Sequence, residues 1–193
     1  MAKLFFRYGA MNSGKTTLLL QTAFNYEEQG MKVIIAKPSK DLKAGTKISS
    51  RLGVERKVDL LLKPNDNIYN IVKKEYRDVA CILVDEAQFL EPKQVDQLLK
   101  ITVDFNIAVI AYGIRTDFRT KGFPGSIRLL EIAHTIEELK TICKCGKKAL
   151  FVARFVKGKL VTKGSQVAID GLDSVTYESM CASCYYKNKK SAK

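Results

Sequence analysis

Residues Gly9, Ala10, Met11, Asn12, Ser13, Gly14, Lys15 and Thr16 fit the phosphate-binding pattern G-x-x-x-x-G-K-[ST]. No other segment constrains the fold of this chain as strongly. The pattern has physical content only between a buried strand and a helix, and both flanks comply. Residues 4–8 are apolar and aromatic, suited to a buried strand. Residues 17–29 read as a helix, with Leu19, Leu20, Ala23 and Phe24 at helical spacing and Gly30 placed to end it. In that arrangement the main-chain N–H groups of residues 11–16 converge on phosphates, aided by the positive end of the helix. Lys15 would reach the outer phosphates, and the Thr16 hydroxyl would hold Mg2+. An ordinary glycine turn explains the two glycines but not the Lys-Thr pair that follows the second. The implied ligand is a nucleoside triphosphate.

Three further segments read as strands: 32–36, 79–84 and 107–113, each short and almost continuously apolar, as strands covered on both faces are. Helical patterns occupy 67–76 and 92–105, the second opening at Pro92. Strands alternating with helices predict an α/β fold: a P-loop NTPase-type, mostly parallel sheet flanked by helices. Residues 38–53 read as a mobile loop. Residues 114–125 follow a strand's carboxyl end, where open α/β sheets bind ligands. From about residue 141 the texture changes to a cysteine pair, short strand-like runs at 149–156 and 159–162, and a loop over 164–180. The predicted division is a nucleotide-binding domain over 1–140 and a small zinc-centred β appendage over 141–193.

The five cysteines fall into three groups. Cys81 sits inside an apolar run and reads as a buried small hydrophobe. Cys143 and Cys145 form C-x-C, and Cys181 and Cys184 form C-x-x-C. Two close pairs without an export signal point to structural Zn2+ before disulfides. The absence of a signal pattern, and of any apolar run long enough to span a bilayer, predicts a cytoplasmic protein. A formal net charge of +13 invites a nucleic-acid reading. The excess is dispersed, however, and no segment alternates basic and aromatic residues like a stacking platform. A basic surface also suits an enzyme with anionic donor and product.

A second chemical element closes the strand before residue 85. Asp85 and Glu86 end an apolar run, and charge at the exit of a buried strand is costly without a function or a partner. Beside a phosphate loop, such an Asp holds magnesium and a following Glu positions or deprotonates the nucleophile. Two classes fit: a small-molecule kinase, and a nucleic-acid-dependent ATPase, whose helicase box the run Asp85-Glu86-Ala87-Gln88 superficially resembles. A helicase motor generally needs two such cores, and 193 residues hold one, which favours the kinase. The sole histidine, His134, belongs to no triad or metal pattern and reads as structural or surface.

Taken in order, the phosphate loop, Val84-Asp85-Glu86-Ala87-Gln88-Phe89-Leu90, the stretch from Tyr112-Gly113 to Gly125, and Cys143/Cys145 and Tyr177 with Cys181/Cys184 closely resemble the type II thymidine kinases of bacteria. The likeness covers nearly the whole chain. It implies transfer of the γ-phosphoryl group of ATP to the 5′-hydroxyl of thymidine or deoxyuridine, in deoxynucleotide salvage. By position, Glu86 matches the catalytic base, Asp85 the magnesium-associated acid, and Gln88 a member of the nucleotide-site motif. Met11, Phe89, Ile114 and Phe118 match the nucleoside pocket. The loop from about Val167 through Ala168, Ile169, Asp170 and Gly171 to Tyr177 matches the family's lasso, which closes over the base. The resemblance further implies a homotetramer and feedback inhibition by thymidine triphosphate; from charge pattern and hydropathy, no nucleic-acid or membrane partner is expected. The chain departs from the family at Asp170, where relatives carry glycine, and at Lys43, near a position where many carry arginine.

Overall fold

A computed structural model describes residues 1–40, 45–50, 52–166 and 175–191. Eleven strands are β1 Leu4–Tyr8, β2 Val33–Pro38, β3 Lys47–Ser49, β4 Glu55–Lys57, β5 Leu60–Leu62, β6 Cys81–Val84, β7 Ala108–Gly113, β8 Thr135–Glu138, β9 Phe151–Val156, β10 Lys159–Val161 and β11 Val175–Met180. Five helices are α1 Lys15–Glu28, α2 Ile68–Glu75, α3 Pro92–Phe105, α4 Pro124–Ile132 and α5 Ala182–Ser191, with a 3-10 turn at Ala87–Phe89. The four strands and three helices expected from sequence are all present, with ends shifted by two residues at most.

Six strands form one sheet in the order β5-β2-β6-β7-β1-β8, and every pairing in it is parallel. Its residues alternate faithfully between two cores. Leu4, Phe6, Ile34, Ala36, Ile82, Val84, Val109 and Ala111 face Ile68 and Val72 of α2, Val95, Leu98 and Ile101 of α3, and Leu129 of α4. Val33, Ile35, Cys81, Leu83, Ile110 and Tyr112 face Leu19 and Ala23 of α1. The layers are therefore one helix, sheet, three helices. Cys81 is fully buried, which pushes its thiol up to about 12. It is the inert small hydrophobe its setting implied.

The helices start for different reasons. Asn67 caps α2 by accepting from the Asn70 N–H. Glu91 and Gln94 form a reciprocal capping box at α3, with Pro92 in the first turn. Helix α1 has neither device: its N-cap is Gly14, at φ +76°, with no side-chain cap and no acid in the first turn. Its leading N–H groups are left to the loop in front of it.

Several expectations change. Residues 38–53 are not simply a loop: β3 pairs antiparallel with β4, and Ile48 is buried against the α1-side core. A single apolar residue in a polar run is too weak a signal to mark a strand. The expected loop over 164–180 ends in β11, which pairs along six residues with β9. The sheet edges β5 and β8 are three and four residues long, too short for a period to register. Near the C-terminus, Lys189 and Lys190 lie in the last turn of α5, where they complement the helix dipole. His134 is structural: its Nδ1 accepts from the Leu4 N–H at 3.0 Å while its main-chain N–H donates to the Leu4 carbonyl at 2.9 Å. Lys43 and the run of Val167, Ala168, Ile169, Asp170 and Gly171 lie outside the described residues.

The strands β10, β9 and β11 form a separate antiparallel sheet. Behind it Ala153, Phe155, Leu160 and Met180 pack with Tyr185 of α5 and two of the cysteines.

Candidate active site

The loop over residues 9–14 joins β1 to α1 at the carboxyl edge of the sheet. Lys15 folds back over it, donating to the carbonyls of Gly9 (3.2 Å) and Ala10 (2.9 Å) and to Ser13 Oγ (3.4 Å). Burial pulls the Lys15 ammonium below the usual lysine range, while the nearby Glu86 and Asp85 carboxylates pull it upward. Two carboxylates from another strand therefore face the loop lysine. Thr16 closes the link by donating its hydroxyl to Asp85 Oδ2 at 3.4 Å. Thr16 and Asp85 are 69 residues apart in sequence and meet because parallel strands bring all their carboxyl ends to one edge.

Asp85 is 4% exposed, and its Oδ1 accepts from the Glu86 N–H at 3.0 Å. Glu86 occupies the left-handed region at φ +49°, a conformation that costs a non-glycine residue energy and recurs at functional sites. Gln88 is buried with both ends of its amide engaged. Its Nε2 donates to the Glu86 carboxylate, and its Oε1 accepts from the Ile114 N–H at 3.1 Å. This aims the carboxylate and ties it to the segment after β7. The arrangement needs Gly113, because a Cβ there would lie 2.8 Å from Gln88 Oε1.

The residues expected around the nucleoside come from four elements. The Met11 carbonyl accepts from Ser179 Oγ of β11 at 2.5 Å. Phe89 meets Phe123 edge to face, with ring centroids 5.6 Å apart. Ile114 is joined to Gln88 as above. Phe118 is buried, and its carbonyl accepts from Tyr185 Oη at 2.7 Å. Tyr177 of β11 accepts from Arg154 Nε at 2.9 Å. The β appendage thus reaches the phosphate loop through Ser179 and the segment after β7 through Tyr185.

The four cysteines expected to hold metal converge. Cys143 and Cys145 lie on a turn closed by Cys143 N–H to the Lys147 carbonyl, with Gly146 N–H returning to the Cys143 carbonyl. Cys181 follows β11, and Cys184 lies in the first turn of α5. Their sulfurs all fall within 4.8 Å of one another, with Cys145 and Cys181 at 3.6 Å. Zinc–thiolate bonds of about 2.3 Å in a tetrahedron place sulfurs about 3.8 Å apart, so the donor set fits Zn2+. Main-chain N–H groups of Cys145 and Cys181 lower the Cys143 thiol to about 6, while the neighbouring sulfurs raise the Cys184 thiol to about 12, so the four titrate as one cluster.

A sequence profile of the family described as thymidine kinase matches residues 2–185. The chain belongs to the thymidine kinase family. A thymidine kinase of Ruegeria pomeroyi is 45% identical over 185 residues, covering 94% of this chain and 92% of that one. A thymidine kinase of Chromobacterium violaceum is 45% identical over 188 residues, covering 96% and 99%. Among solved structures, the replication initiator DnaA bound to AMPPCP and single-stranded DNA shares 16% identity, with a TM-score of 0.44, over 72% of this chain and 41% of that one. A likeness of that degree says nothing about activity. No helix among the described residues is long and apolar enough to cross a membrane.

Three participants escaped the sequence reading. Gly113 stands in a stretch that the sequence singles out, but its reason is hidden until the side chain that approaches it is known. Asp117, also buried, accepts from the N–H groups of Arg119 and Lys121 and from the Arg119 guanidinium at 2.6 and 2.8 Å, so it organises the turn that carries Phe118. Arg154 is 4% exposed in the middle of β9. A lone cation in the run Phe-Val-Ala-Arg-Phe-Val was the available signal, since a buried charge needs partners.

Proposed function

We infer that the protein is a thymidine kinase that transfers the γ-phosphoryl group of ATP to the 5′-hydroxyl of thymidine or deoxyuridine, giving the nucleoside monophosphate in deoxynucleotide salvage. Beyond membership of the family, one observation carries the reading of the site. The Glu86 carboxylate, aimed by Gln88, stands beside Asp85, which is itself bonded to Thr16 of the phosphate loop. A base and a phosphate cradle share one edge of the sheet.

In this reading the main-chain N–H groups of residues 11–16 grip the donor's phosphates. Lys15 exchanges the loop carbonyls it now holds for the outer phosphate oxygens. Thr16 and Asp85 would hold Mg2+, which neutralises charge on the phosphate oxygens. The left-handed turn at Glu86 and its bond from Gln88 orient one carboxylate oxygen toward the acceptor hydroxyl, whose proton it takes. A free carboxylate has a pKa of about 4.3 and is a weak base. That suffices when the transition state is loose and the proton leaves late, with positioning supplying most of the rate. Gln88 acts through Glu86 in this scheme.

Met11, Phe89, Ile114, Phe118 and Tyr177 would line the nucleoside, with Val167, Ala168, Ile169, Asp170 and Gly171 closing over its base. Cys143, Cys145, Cys181 and Cys184 would hold structural Zn2+, joining both ends of the unit over 141–193 and fixing the base of β11 against the nucleotide-binding unit over 1–140. A cytoplasmic homotetramer inhibited by thymidine triphosphate, with no nucleic-acid partner, completes the proposal. The deciding experiment supplies ATP and magnesium with a panel of nucleosides and scores 5′-monophosphates. Thymidine monophosphate is expected. ATP hydrolysis stimulated by DNA or RNA, with no nucleoside phosphorylated, would overturn the reading.

A further inference from the structure

Arg154 is a buried, fully engaged cation that the proposed chemistry leaves unused. Its guanidinium carbon lies 3.7 Å from the centroid of the Phe118 ring, near the closest approach a stacked cation makes. In the plane of the fork, Nε donates to Tyr177 Oη at 2.9 Å, one terminal nitrogen donates to the Ser165 carbonyl at 2.9 Å, and the other donates to the Gln166 carbonyl at 3.1 Å. The partners named here are neutral, so what they receive is direction more than charge compensation. One rigid plane thereby sets the ring of Phe118, which follows the nucleotide-binding sheet, and the phenol of Tyr177, on the appendage sheet. The backbone register enforces the second contact, because Arg154 and Tyr177 are directly paired across β9 and β11.

The neighbours support the same junction from the other side. Asp117 is fully buried at its side chain and salt-bridged to Arg119. Arg119 reaches the Gly164 carbonyl at 3.3 Å, and Gln166 Nε2 reaches back to Asp117 at 3.5 Å. Residues 164–166 are therefore held by Arg154 on one side and by the Asp117–Arg119 pair on the other. Arg119 also approaches Phe118, with its guanidinium 5.6 Å from the ring centroid.

We propose that Arg154 is a positioning residue for nucleoside recognition: it fixes Phe118 and Tyr177 relative to each other across the two sheets and thereby sets affinity and choice for the nucleoside, but not for ATP. This rests on the assignment of Phe118 and Tyr177 to the nucleoside site. A flat, three-way fork is required. Lysine has the charge and the length but cannot donate in three fixed directions or stack as a plane.

The test is steady-state kinetics on the full chain, varying thymidine and ATP separately, with zinc content measured on each preparation. Arg154→Met is expected to raise the KM for thymidine by about 10- to 100-fold, the scale on which small misplacement of positioning groups acts. The KM for ATP and the zinc content should match the native chain. Arg154→Lys should recover only part of the loss. Tyr177→Phe, which removes one acceptor and keeps the ring, should give a smaller rise, and its effect should largely vanish in the Arg154→Met background. A thymidine KM within about twofold of native in Arg154→Met overturns the proposal, as does an equal rise for thymidine and ATP. If Arg154→Met does not fold, Arg154→Lys decides by the same two criteria. Failure of the native chain to phosphorylate any nucleoside would sink the functional reading and this inference with it. A native chain that phosphorylates thymidine beside a silent Arg154 series would sink this inference alone.

Discussion

Gln88→Glu isolates the contact that aims Glu86. The introduced carboxyl can still accept from the Ile114 N–H, but the donor to Glu86 becomes an acceptor. Two carboxylates then meet where Gln88 is 1% exposed. At an ordinary hydrogen-bond separation of about 3 Å and an effective dielectric of about 20, their repulsion is about 5 kcal/mol. That corresponds to about four pKa units, so the pair keeps one proton up to about pH 8 in the folded protein, against about 4.3 for a free Glu in the unfolded chain. The folded state thus binds one proton more than the unfolded state across that window. Relative to the native chain, the variant should lose about 1.4 kcal/mol for each pH unit between about 4 and 8, then level off. For a chain of this size the loss lowers Tm by about 2–4 °C at pH 5 and about 8–16 °C at pH 7. Thermal unfolding of both proteins across pH 5 to 8.5 measures the gap. Turnover should follow, since a singly protonated pair still offers Glu86 a donor and a doubly ionised pair does not. A Tm difference independent of pH, or a turnover ratio flat from pH 6 to 9, would refute the reasoning.

Lys15→Ala and Glu86→Gln should both abolish turnover, but only the first should strongly weaken ATP binding, as equilibrium titration with ATP can report; Glu86→Gln with near-native turnover would remove it as base. Tyr185→Phe deletes the bond to the buried Phe118 carbonyl and should cost about 1–3 kcal/mol of stability, read by denaturant unfolding. Metal analysis of active protein should find about one zinc per chain, and a chelator should lower Tm; active protein without zinc would end the metal assignment.

Signals that act over one turn or one strand were legible. The glycine loop, the apolar strands and the Pro92 start of α3 each declare themselves within about ten residues, because local sterics and periodicity decide them. The cysteine pairs were legible by spacing, and His134 by what it lacked. The short edge strands β5 and β8 were not, since a period cannot be read from three or four residues. Nor was β3, whose only burial signal is Ile48. The reason for Gly113 carried no local mark, because it lies in the side chain of Gln88.

The sequence alone determined the chemistry available: a phosphate cradle, a strand ending in two acids, four thiols in two pairs, and a parallel sheet to carry the first two. Tertiary structure decided which groups act on which. It brought Asp85 to Thr16, turned Gln88 onto Glu86, gathered the four sulfurs, and laid Arg154 over Phe118 while bonding it to Tyr177. These relations join residues tens of positions apart, and their geometry follows from strand order and register. Local propensity carries no record of register; it exists only once the whole sheet has packed.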